Sequence, residues 1–304
     1  MRVLIVGCGY VGSHAALELV RLGHEVFGLR RSGAEDPELA TAGVKQLTGD
    51  ITKPEDLARL PGPFDWVINT VSSTQGGVDE YEQVYVGGTR HLIEWLAPTP
   101  LQKFVYTSST SVYGQVDGSV VKETSPTEPA SPTSQRLVAA ENLLLEAART
   151  RKFPAVILRV AGIYGPGRGH LFLQYLRGEA RMAGQGERII NMIHRDDVVR
   201  AILAALKSGR GGEIYNVVDN EPVAQIHFFR WLSESLGKCM PPFATEEETA
   251  PRKRGLTQKK VSNRRLKMEL GVELKHPTFR QGYTAEIMLL DRAGLLNIQP
   301  EPRP

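Results

Sequence analysis

The first twelve residues constrain the fold of this chain more than any other stretch. Residues 2–6 form a short apolar run rich in β-branched side chains, which predicts a buried strand. The segment Gly7-Cys-Gly-Tyr-Val-Gly12 follows with G-x-G-x-x-G spacing, and residues 11–22 have the pattern of an amphipathic helix. Such glycines permit a tight turn, let the backbone approach a pyrophosphate and let the helix pack on the strand. With a second strand predicted over 25–29, the motif predicts a dinucleotide site at the helix N-terminus, formed by Gly7, Gly9, Tyr10, Val11 and Gly12.

Strand and helix patterns alternate along the first half of the chain. Further short apolar strands are predicted over residues 45–49, 66–69, 103–107 and 155–159. Helices are predicted from residue 54, over 78–96 and over 134–150. Strands separated by segments of helical length are typical of βαβ crossovers, so we expect a parallel sheet covered by helices on both faces.

The pattern loosens after Gly162, where a helix over 195–206 and a strand over 213–217 are the clearest elements. The sequence thus predicts an α/β fold with two domains. A Rossmann-type doubly wound parallel sheet is expected over residues 1–162, and a smaller C-terminal α/β lobe is expected to provide most of 163–304. Segments around 185–220 are candidates to return to the first domain.

Composition excludes several classes of protein. The formal net charge of +3 is too small to indicate nucleic-acid binding, and 2 cysteines remote from each other do not make a disulfide scaffold. The first predicted strand follows Met1 directly, and no run of about 18 apolar residues occurs. We therefore expect a cytoplasmic protein that binds neither nucleic acid nor a membrane.

Six segments carry a resemblance to a known family. In chain order they are Gly7-Cys-Gly-Tyr-Val-Gly12, Gly49-Asp50-Ile51-Thr52, Val105-Tyr-Thr-Ser-Ser-Thr-Ser-Val-Tyr-Gly114, Arg159-Val-Ala-Gly-Ile-Tyr-Gly-Pro166, Ile193-His-Arg-Asp-Asp-Val198 and Val261-Ser-Asn-Arg-Arg-Leu266. With these segments the chain resembles the extended short-chain dehydrogenases/reductases of the nucleotide-sugar epimerase/dehydratase family. The resemblance implies an NAD(P)-binding Rossmann domain, a C-terminal substrate lobe that takes a small molecule, and an active site in the cleft between them.

The residues after the second strand favour NADP(H) over NAD(H). An NAD site usually has Asp or Glu at that point, to bond the ribose 2′-hydroxyl. Here the strand ends in Leu29-Arg30-Arg31-Ser32, and the first acidic residue, Glu35, comes later. The guanidiniums of Arg30 and Arg31, with the hydroxyl of Ser32, suit a 2′-phosphate, because arginine makes bidentate charge-assisted bonds to phosphate oxygens. A solvated basic loop is the alternative interpretation, and NAD is the second choice of cofactor.

The resemblance implies further cofactor contacts. Asp50 and Ile51 would frame the adenine, while Thr70, Val71 and Ser72 would line the pyrophosphate and ribose beyond the fourth strand. Asp50 is also a candidate helix cap, because Asp is favoured before a helix. Thr107, at the end of the fifth predicted strand, completes the predicted cofactor-binding set.

The usual catalytic pair of the family is missing from this chain. The family's chemistry uses a Tyr that exchanges a proton with the substrate oxygen, a Lys four residues later that lowers the pKa of the phenol, and a Ser or Thr that holds the same oxygen. Ser109 matches the hydroxyl position. Counting back from Glu141, the family's usual glutamate, puts Thr133 at the Tyr position and Leu137 at the Lys position, and no Y-x-x-x-K occurs in the chain. Tyr85 stands where the family usually has Asn.

The candidates for the catalytic roles are Ser109, Tyr113 and Thr133. Ser109 would polarise the substrate oxygen, and Tyr113 is a candidate acid, although in the family it belongs to a packing turn. The hydroxyl of Thr133 is too weakly acidic to replace an activated phenol. Arg136, on the same helix face as Thr133, could hold a phosphate or ribose but is a poor proton shuttle. In these losses the chain resembles the atypical members of the family.

Two other features have more than one interpretation. His194 precedes Arg195-Asp196-Asp197, but a helix start explains this segment better than a metal site, and no cluster of His, Cys and Asp has metal-ligand spacing. Residues 251–267 hold eight basic residues and no acidic one. This stretch is either a solvated face or an electropositive lip that suits an anionic substrate such as a diphosphate sugar.

Two functions are compatible with these features. In the first, the protein is an NADP(H)-binding epimerase/dehydratase-like oxidoreductase or isomerase that acts on a small, anionic sugar-like or carbonyl substrate with non-standard catalytic residues. In the second, it is a non-catalytic NADP(H)-binding protein that senses redox state or scaffolds a partner. The family resemblance also implies a homodimer through the helices over 78–96 and 134–150.

Overall fold

A computed structural model of the chain describes residues 1–74, 76–245 and 257–296. Its strands are β1 (Arg2–Val6), β2 (Glu25–Arg30), β3 (Lys45–Thr48), β4 (Trp66–Asn69), β5 (Lys103–Ser109), β6 (Val120–Val121), β7 (Ala155–Val160), β8 (Gly162–Tyr164), β9 (Ile189–Ile190), β10 (Met192–His194), β11 (Glu213–Val217), β12 (Val223–Ala224) and β13 (Lys260–Val261). Its helices are α1 (Tyr10–Arg21), α2 (Pro37–Thr41), α3 (Pro54–Ala58), α4 (Val78–Tyr81), α5 (Gly88–Leu96), α6 (Pro132–Arg151), α7 (His170–Leu176), α8 (Arg195–Ser208), α9 (Gln225–Leu236), α10 (Arg264–Leu270) and α11 (Phe279–Arg292). A π-helical segment, Glu82–Gly87, joins α4 to α5, and a 3₁₀ turn covers Thr110–Val112.

Seven of the described strands form one sheet in the order β3-β2-β1-β4-β5-β7-β11, and every neighbouring pair is parallel. The predicted Rossmann-type α/β fold is therefore confirmed. The strand order reverses between β1 and β4, and ligands of such sheets bind outside the carboxyl ends of the strands at this point. Among the described helices, none combines the length and the apolar composition that crossing a membrane requires.

The first βαβ unit packs closely because small residues line its contacts. Ala15 and Ala16 of α1 are fully buried, and all of Val3–Val6 in β1 is buried as well. A Cβ at Gly28 in β2 would lie 2.8 Å from the Cys8 Sγ, so the thiol fills the space that this glycine leaves. The unit thereby holds the turn after β1 in a fixed position against β2.

The later part of the chain builds a second cluster of buried side chains, most of them aromatic. The rings of Tyr164 and Tyr283 stack with centroids 4.4 Å apart, and Phe228 packs against Phe279. The chain also returns to the central sheet, because β11 pairs with β7 and α8 packs on α1. The division into residues 1–162 and 163–304 stays a prediction.

The helix predicted over 78–96 is present but is not regular. Its middle is the π-helical segment, in which Tyr85 is buried and its ring packs 4.8 Å from that of Tyr81. Such π segments occur frequently at functional sites. Here the segment brings Val84 and Tyr85 to the cleft described below.

Candidate cofactor and substrate cleft

One large cleft opens at the carboxyl ends of the parallel strands. Its volume is about 1840 Å³, and its walls come from the turn after β1, the ends of β2, β4, β5 and β7, and the later lobe. Pockets for a single small molecule usually measure about 300–1,000 Å³. The cleft therefore has room for a dinucleotide and a second molecule beside it.

The cleft brings together nearly all the residues that the sequence predicts for the cofactor. Its lining includes Gly7, Gly9, Tyr10, Val11, Arg30, Arg31, Ser32, Asp50, Ile51, Thr70, Val71, Ser72 and Thr107. Gly12 lies behind the turn instead, where a Cβ would come within 2.7 Å of the Gly7 carbonyl oxygen and 2.8 Å of the Thr70 Oγ1. This is the helix-packing position that the third glycine of the motif occupies.

The glycine turn has the shape that a pyrophosphate requires. Gly7 has a φ of +82°, and a Cβ there would lie 2.7 Å from the Val71 nitrogen. Gly9 differs, because a Cβ at this residue would meet no atom closer than the Gly7 oxygen at 3.9 Å. Gly9 is also the N-cap of α1 and offers no side-chain cap, so the N–H groups of the first helical turn face this space. The residues therefore fit a dinucleotide phosphate at the helix N-terminus.

Tyr10 links this turn to the later part of the chain. Its hydroxyl donates to the Pro166 carbonyl, 3.1 Å away, and the guanidinium carbons of Arg168 and Arg195 lie 4.9 and 5.2 Å from its ring centre. Burial raises the pKa of the Tyr10 phenol. Two cationic side chains thus lie next to the helix N-terminus, on the side where a phosphate would add negative charge.

The two arginines after β2 have different surroundings. The Arg30 guanidinium donates to Ser13 Oγ at 3.0 Å, to Asp36 Oδ2 at 2.8 Å and to the Cys8 carbonyl. The hydrogen bond from Arg30 lowers the pKa of the Asp36 carboxyl. Arg31 is exposed and donates to Thr74 Oγ1 at 3.1 Å. Asp36 thus neutralises part of the charge that Arg30 offers, whereas Arg31 keeps its charge at the rim of the cleft.

The loop after β4 is held by one carboxylate and one phenol. Glu80 accepts hydrogen bonds from Gly76 N at 2.6 Å, Ser73 Oγ at 2.7 Å and Thr74 N at 3.1 Å. These hydrogen bonds lower the pKa of Glu80 to about 2, and the bond from Gly76 N has the largest effect. The Tyr85 hydroxyl accepts from Ser73 N at 3.1 Å. Tyr85, at the position of the family's usual Asn, therefore helps to position the loop beside the cofactor turn.

Asp50 lines the cleft, and the adenine contact that the family resemblance implies stays a prediction. Its Oδ1 accepts from Thr52 N at 2.9 Å and from Thr52 Oγ1 at 2.8 Å. The N-cap residue of α3 is Lys53, so Asp50 orders the turn before this helix without capping it.

Of the predicted catalytic residues, Ser109 lies in the cleft. It ends β5, and its Oγ accepts from Ser111 N at 3.2 Å, which caps the 3₁₀ turn that follows. Leu137 and Val84 line the same cleft. An apolar side chain therefore stands at the position where the family places its charged lysine.

The structure does not bring Tyr113 or Thr133 to the cleft lining. Tyr113 is fully buried, donates its hydroxyl proton to Asn216 Oδ1 at 2.8 Å and accepts from Arg159 Nη1 at 2.9 Å. Burial raises the pKa of its phenol. The Thr133 Oγ1 lies 2.8 Å from the Ser131 Oγ in another buried contact. Both residues therefore lie outside the cleft lining, and their catalytic roles stay predictions.

Arg136 and Glu141 also lie outside the cleft lining. The Arg136 Nε lies 3.0 Å from Glu82 Oε2, at the helix surface and outside the cleft lining. Glu141 forms a buried ion pair with Arg159 at 2.7 Å and accepts from Ser108 Oγ at 2.5 Å. The pair ties α6 to β7 and β5, directly below the cleft.

Three further basic side chains of the later lobe line the cleft, and one of them belongs to the basic stretch 251–267 that the sequence analysis singled out. They are Arg181, Arg188 and Lys259, and Glu179 is the acidic residue beside them. Lys259 is 4% exposed, and burial lowers its pKa to about 8. Lys259, Lys260 and Val261 alternate as buried, exposed and buried, an arrangement that the sequence by itself does not show. Residues 251–256 of the basic stretch lie outside the described residues.

The sequence predicts a helix start in the segment after His194, and in the structure His194 itself is the residue that caps this helix. It is the N-cap of α8, its Nδ1 accepts from Asp196 N at 3.2 Å, and burial lowers its pKa to about 4. The fold also brings in His276, whose ring centre is 3.8 Å from that of His194. Ligand atoms of His194, Asp196 and His276 lie within 4.8 Å of one another, a cluster that sequence spacing does not reveal. Arg195 and Lys275 both pair with the Asp196 carboxylate, which opposes cation binding there.

Comparison with known proteins agrees with this geometry. The model of the NAD dependent epimerase/dehydratase family matches residues 3–218. Protein YeeZ of Escherichia coli K12 is 29% identical over 283 residues, covering 91% of this chain and 96% of its own length. Human dTDP-D-glucose 4,6-dehydratase is 29% identical over 254 residues, covering 76% of this chain and 73% of its own.

A solved structure from Methylobacillus flagellatus, described provisionally as an NAD-dependent epimerase/dehydratase, extends the agreement to three dimensions. It is 32% identical, has a TM-score of 0.75 and covers 95% of this chain and 98% of its own. The likeness spans the sheet, the glycine turn and the later lobe together. The chain therefore belongs to the NAD dependent epimerase/dehydratase family.

Proposed function

We propose that the protein is an NADP(H)-binding, epimerase/dehydratase-like oxidoreductase or isomerase that acts on a small, anionic sugar-like or carbonyl substrate. The observation that carries this proposal is the single cleft that joins the glycine turn, Ser109 and the basic side chains of the lobe. Because Leu137 replaces the usual lysine, the catalytic residues differ from those usual in the family. A cytoplasmic location and a homodimer through residues 78–96 and 134–150 remain predictions.

The surroundings of the second strand support a phosphorylated cofactor. Arg30, Arg31 and Ser32 line the cleft at the point where an NAD site usually has a carboxylate. Asp36 is nearby, but its carboxylate is engaged by Arg30. Bound at this turn, the nicotinamide would supply or accept a hydride at a substrate carbon.

Charge at the other end of the cleft supports an anionic substrate. Of the lining residues from the later part of the chain, Arg168, Arg181, Arg188 and Lys259 are basic and Glu179 is acidic. A cleft lined by one sign of charge raises the local concentration of ligands of the opposite sign. A relative of this chain acts on dTDP-D-glucose, whose diphosphate has this character.

Ser109 would hold the reacting oxygen of the substrate. Its hydroxyl lies at the carboxyl end of β5, in the lining of the cleft, and accepts a hydrogen bond from Ser111 N. A hydroxyl in this position can stabilise an oxygen that gains negative charge during hydride transfer. It cannot supply a proton as readily as an activated phenol, so a second group is needed.

The alternative is a non-catalytic NADP(H)-binding protein that senses redox state or scaffolds a partner. The observation that favours it is the apolar wall formed by Leu137 and Val84 at the family's usual proton-transfer position. The two candidates differ in what Ser109→Ala should do. In an enzyme the substitution would lower turnover with little change in NADPH affinity. In a non-catalytic sensor it would have no turnover to lower and would leave NADPH affinity unchanged.

A four-way binding titration tests the proposed function first. Purified protein is titrated with NADP+, NADPH, NAD+ and NADH by calorimetry. We expect the phosphorylated pair to bind at least tenfold more tightly, which corresponds to about 1.4 kcal/mol. Turnover is then sought with NADPH or NADP+ and a panel of dTDP-glucose, UDP-glucose and small oxo acids. Absence of binding to all four dinucleotides would overturn the proposal.

A further inference from the structure

Lys259 is buried in the wall of the cleft and has no carboxylate partner among the residues that the structure describes. The Lys259 Nζ donates to the Tyr113 carbonyl at 2.8 Å and to the Thr257 Oγ1 at 2.9 Å. Both acceptors are neutral, and no carboxylate among the described residues forms an ion pair with it. Buried lysines are usually paired with a carboxylate, so this one requires another explanation.

The backbone around Lys259 is held firmly. The Asn191 side chain donates to the Lys259 carbonyl at 2.9 Å and accepts from Val261 N at 2.8 Å, so one amide bonds the chain on both sides of Lys260. Lys260 and Val261 also pair with Val120 and Val121 of β6. The lysine is therefore placed by rigid elements, as a group that must meet a ligand in one geometry would be.

Lys259 is connected to the turn that carries Ser109. The Ser109 Oγ caps the start of the 3₁₀ turn over Thr110–Val112, and Tyr113, whose carbonyl Lys259 contacts, ends the same turn. Ser109 and Lys259 both line the cleft. An ammonium has three N–H bonds, and the two contacts above use two of them, which leaves one for a ligand in the cleft.

Resting on the proposed function, we propose that Lys259 is the catalytic group that donates a proton to the reacting oxygen of the substrate. In the direction of carbonyl reduction, a hydride reaches the carbonyl carbon and the electron pair of the C=O π bond moves to oxygen. An O–H bond then forms as one N–H bond of the ammonium breaks. The neutral amine regains its proton from water, and in the oxidative direction it accepts the proton from the hydroxyl group.

The chemistry of the site suits this role. Burial lowers the pKa of Lys259 to about 8, so the group exchanges a proton near neutral pH, which an arginine cannot do. The other charged side chains that the later part of the chain adds to the cleft lining are Arg168, Glu179, Arg181 and Arg188. A cationic donor here also favours an anionic substrate. The role that the family gives to a tyrosine would thus pass to a residue far along the chain.

Competitive labelling tests the titration of Lys259 without any substrate or cofactor. The whole protein is treated with limiting acetic anhydride between pH 6 and 11, and the peptides are quantified by mass spectrometry against added Nα-acetyl-lysine. We expect the labelling midpoint of Lys259 to lie near 8, about 2.5 pH units below that of the free standard. A midpoint equal to that of the standard, or no labelling at any pH, would overturn the proposal.

Three variants then test the role in turnover, with the panel substrate that the wild-type protein converts. Lys259→Met and Lys259→Arg should both lower kcat by at least about 100-fold, because neither can donate the proton. Lys260→Met, at the exposed neighbouring residue, should leave kcat unchanged. Wild-type kcat for reduction should fall as the pH rises through about 8, the pKa of the donor.

Retention of kcat by Lys259→Arg, with only KM changed in Lys259→Met, would show that the lysine merely attracts an anion and would contradict proton donation. The two proposals fail separately. If the wild-type protein binds no dinucleotide, the proposed function fails. The labelling profile still tests the titration of Lys259, because it needs neither cofactor nor substrate. If the wild-type protein turns over and both Lys259 variants match it, the inference fails while the proposed function stands.

Discussion

The three glycines of the first turn have different steric surroundings, and each should respond differently to the addition of one methyl group. A Cβ at Gly12 would come within 2.7 Å of the Gly7 oxygen, so Gly12→Ala should destabilise the fold by about 1–3 kcal/mol. At Gly9 the nearest atom would be 3.9 Å away, and its φ of −103° is open to other residues. We expect Gly9→Ala to leave the melting temperature unchanged but to weaken dinucleotide binding about tenfold or more, because its methyl group would occupy the pyrophosphate space. Equal effects on melting and on calorimetric affinity in the two variants would contradict this distinction.

The arginines after β2 should decide between the two forms of the cofactor. The double variant Arg30→Ala, Arg31→Ala removes two guanidiniums from the predicted 2′-phosphate position. NADPH affinity should fall at least tenfold, about 1.4 kcal/mol, while NADH affinity changes little. The control is Arg21→Ala, an exposed arginine of α1 that pairs with Glu18. Equal losses of affinity for NADPH and NADH would contradict the prediction that these arginines bind the 2′-phosphate. The loop would then affect cofactor binding without distinguishing the two cofactors.

The sequence predicted which cofactor-binding residues lie in the cleft better than it predicted which candidate catalytic residues lie there. The glycines and Ser109 follow strands directly, and strand ends meet at one edge of a parallel sheet. Tyr113 is only four residues beyond Ser109, yet the 3₁₀ turn between them directs its phenol into the buried layer beside Arg159. Lys259 reaches the cleft through β13, which pairs with β6 across 140 residues of sequence. No local sequence pattern predicts a contact between segments so far apart in the chain.

At the scale of elements, the loop after β4 depends on the charge of Glu80. Glu80→Gln keeps the shape of the side chain but removes the ionised acceptor of the Gly76, Ser73 and Thr74 bonds. We expect faster hydrogen exchange across residues 71–76 and weaker dinucleotide binding, since Val71 and Ser72 line the cleft. Asp79→Asn, at the exposed neighbouring residue, is the control. Unchanged exchange in Glu80→Gln, measured by mass spectrometry, would show that the loop holds without the carboxylate.

The same carboxylate predicts how the loop responds to acid. The pKa of Glu80 in the folded protein is about 2, below its ordinary value of 4.5, so ionised Glu80 stabilises the fold above about pH 4.5. This stabilisation is lost as the pH falls from 4.5 towards 2. Exchange in the loop should therefore rise over this range in the wild-type protein and much less in Glu80→Gln.

The strands and helices of the first half were predictable because their buried residues follow regular sequence patterns. The strands that end at the cleft are short apolar runs bounded by turn residues, and the long helix α6 begins with a proline at its first turn. Of the described helices after Gly162, the sequence predicted only α8. In α9 the aromatic residues Phe228, Phe229 and Trp231 are consecutive or nearly so, and they do not keep one helical spacing. They pack against α7 and α11, which lie far away in sequence.

At the scale of the whole molecule, the segment after β11 connects the central sheet to the lobe. Asp219 N donates to the Met192 carbonyl at 2.8 Å, and Asn220 N donates to the Pro277 carbonyl at 2.8 Å. The Asn263 side chain donates to the Val218 carbonyl at 2.9 Å. Strand β10, the start of α10 and the chain before α11 therefore meet at this segment. A charge introduced at this segment should destabilise the whole fold, because it would weaken the contacts between the central sheet and the lobe.

Asp219 provides that change of charge. Its side chain is 1% exposed, and burial raises its pKa to about 8, with the Glu221 and Asp197 carboxylates adding to the effect. Since the pKa in the folded protein exceeds the ordinary value of 3.8, the neutral acid favours the fold at low pH. The corresponding stability is lost as the pH rises from about 4 to about 8.

Asp219→Asn keeps a neutral group of the same shape at every pH, so this variant should remove the alkaline loss. We expect its melting temperature above pH 8 to exceed that of the wild-type protein by several degrees, equivalent to about 1–3 kcal/mol, the cost of burying an uncompensated polar group. Asp291→Asn, on the exposed face of α11, should follow the wild-type protein at every pH. Parallel melting curves of Asp219→Asn and the wild-type protein between pH 4 and 9 would show that this carboxyl group ionises without a cost to the fold. A neutral acid at the junction of sheet and lobe would then be excluded, and the junction would have to depend on its backbone hydrogen bonds and the bond from Asn263.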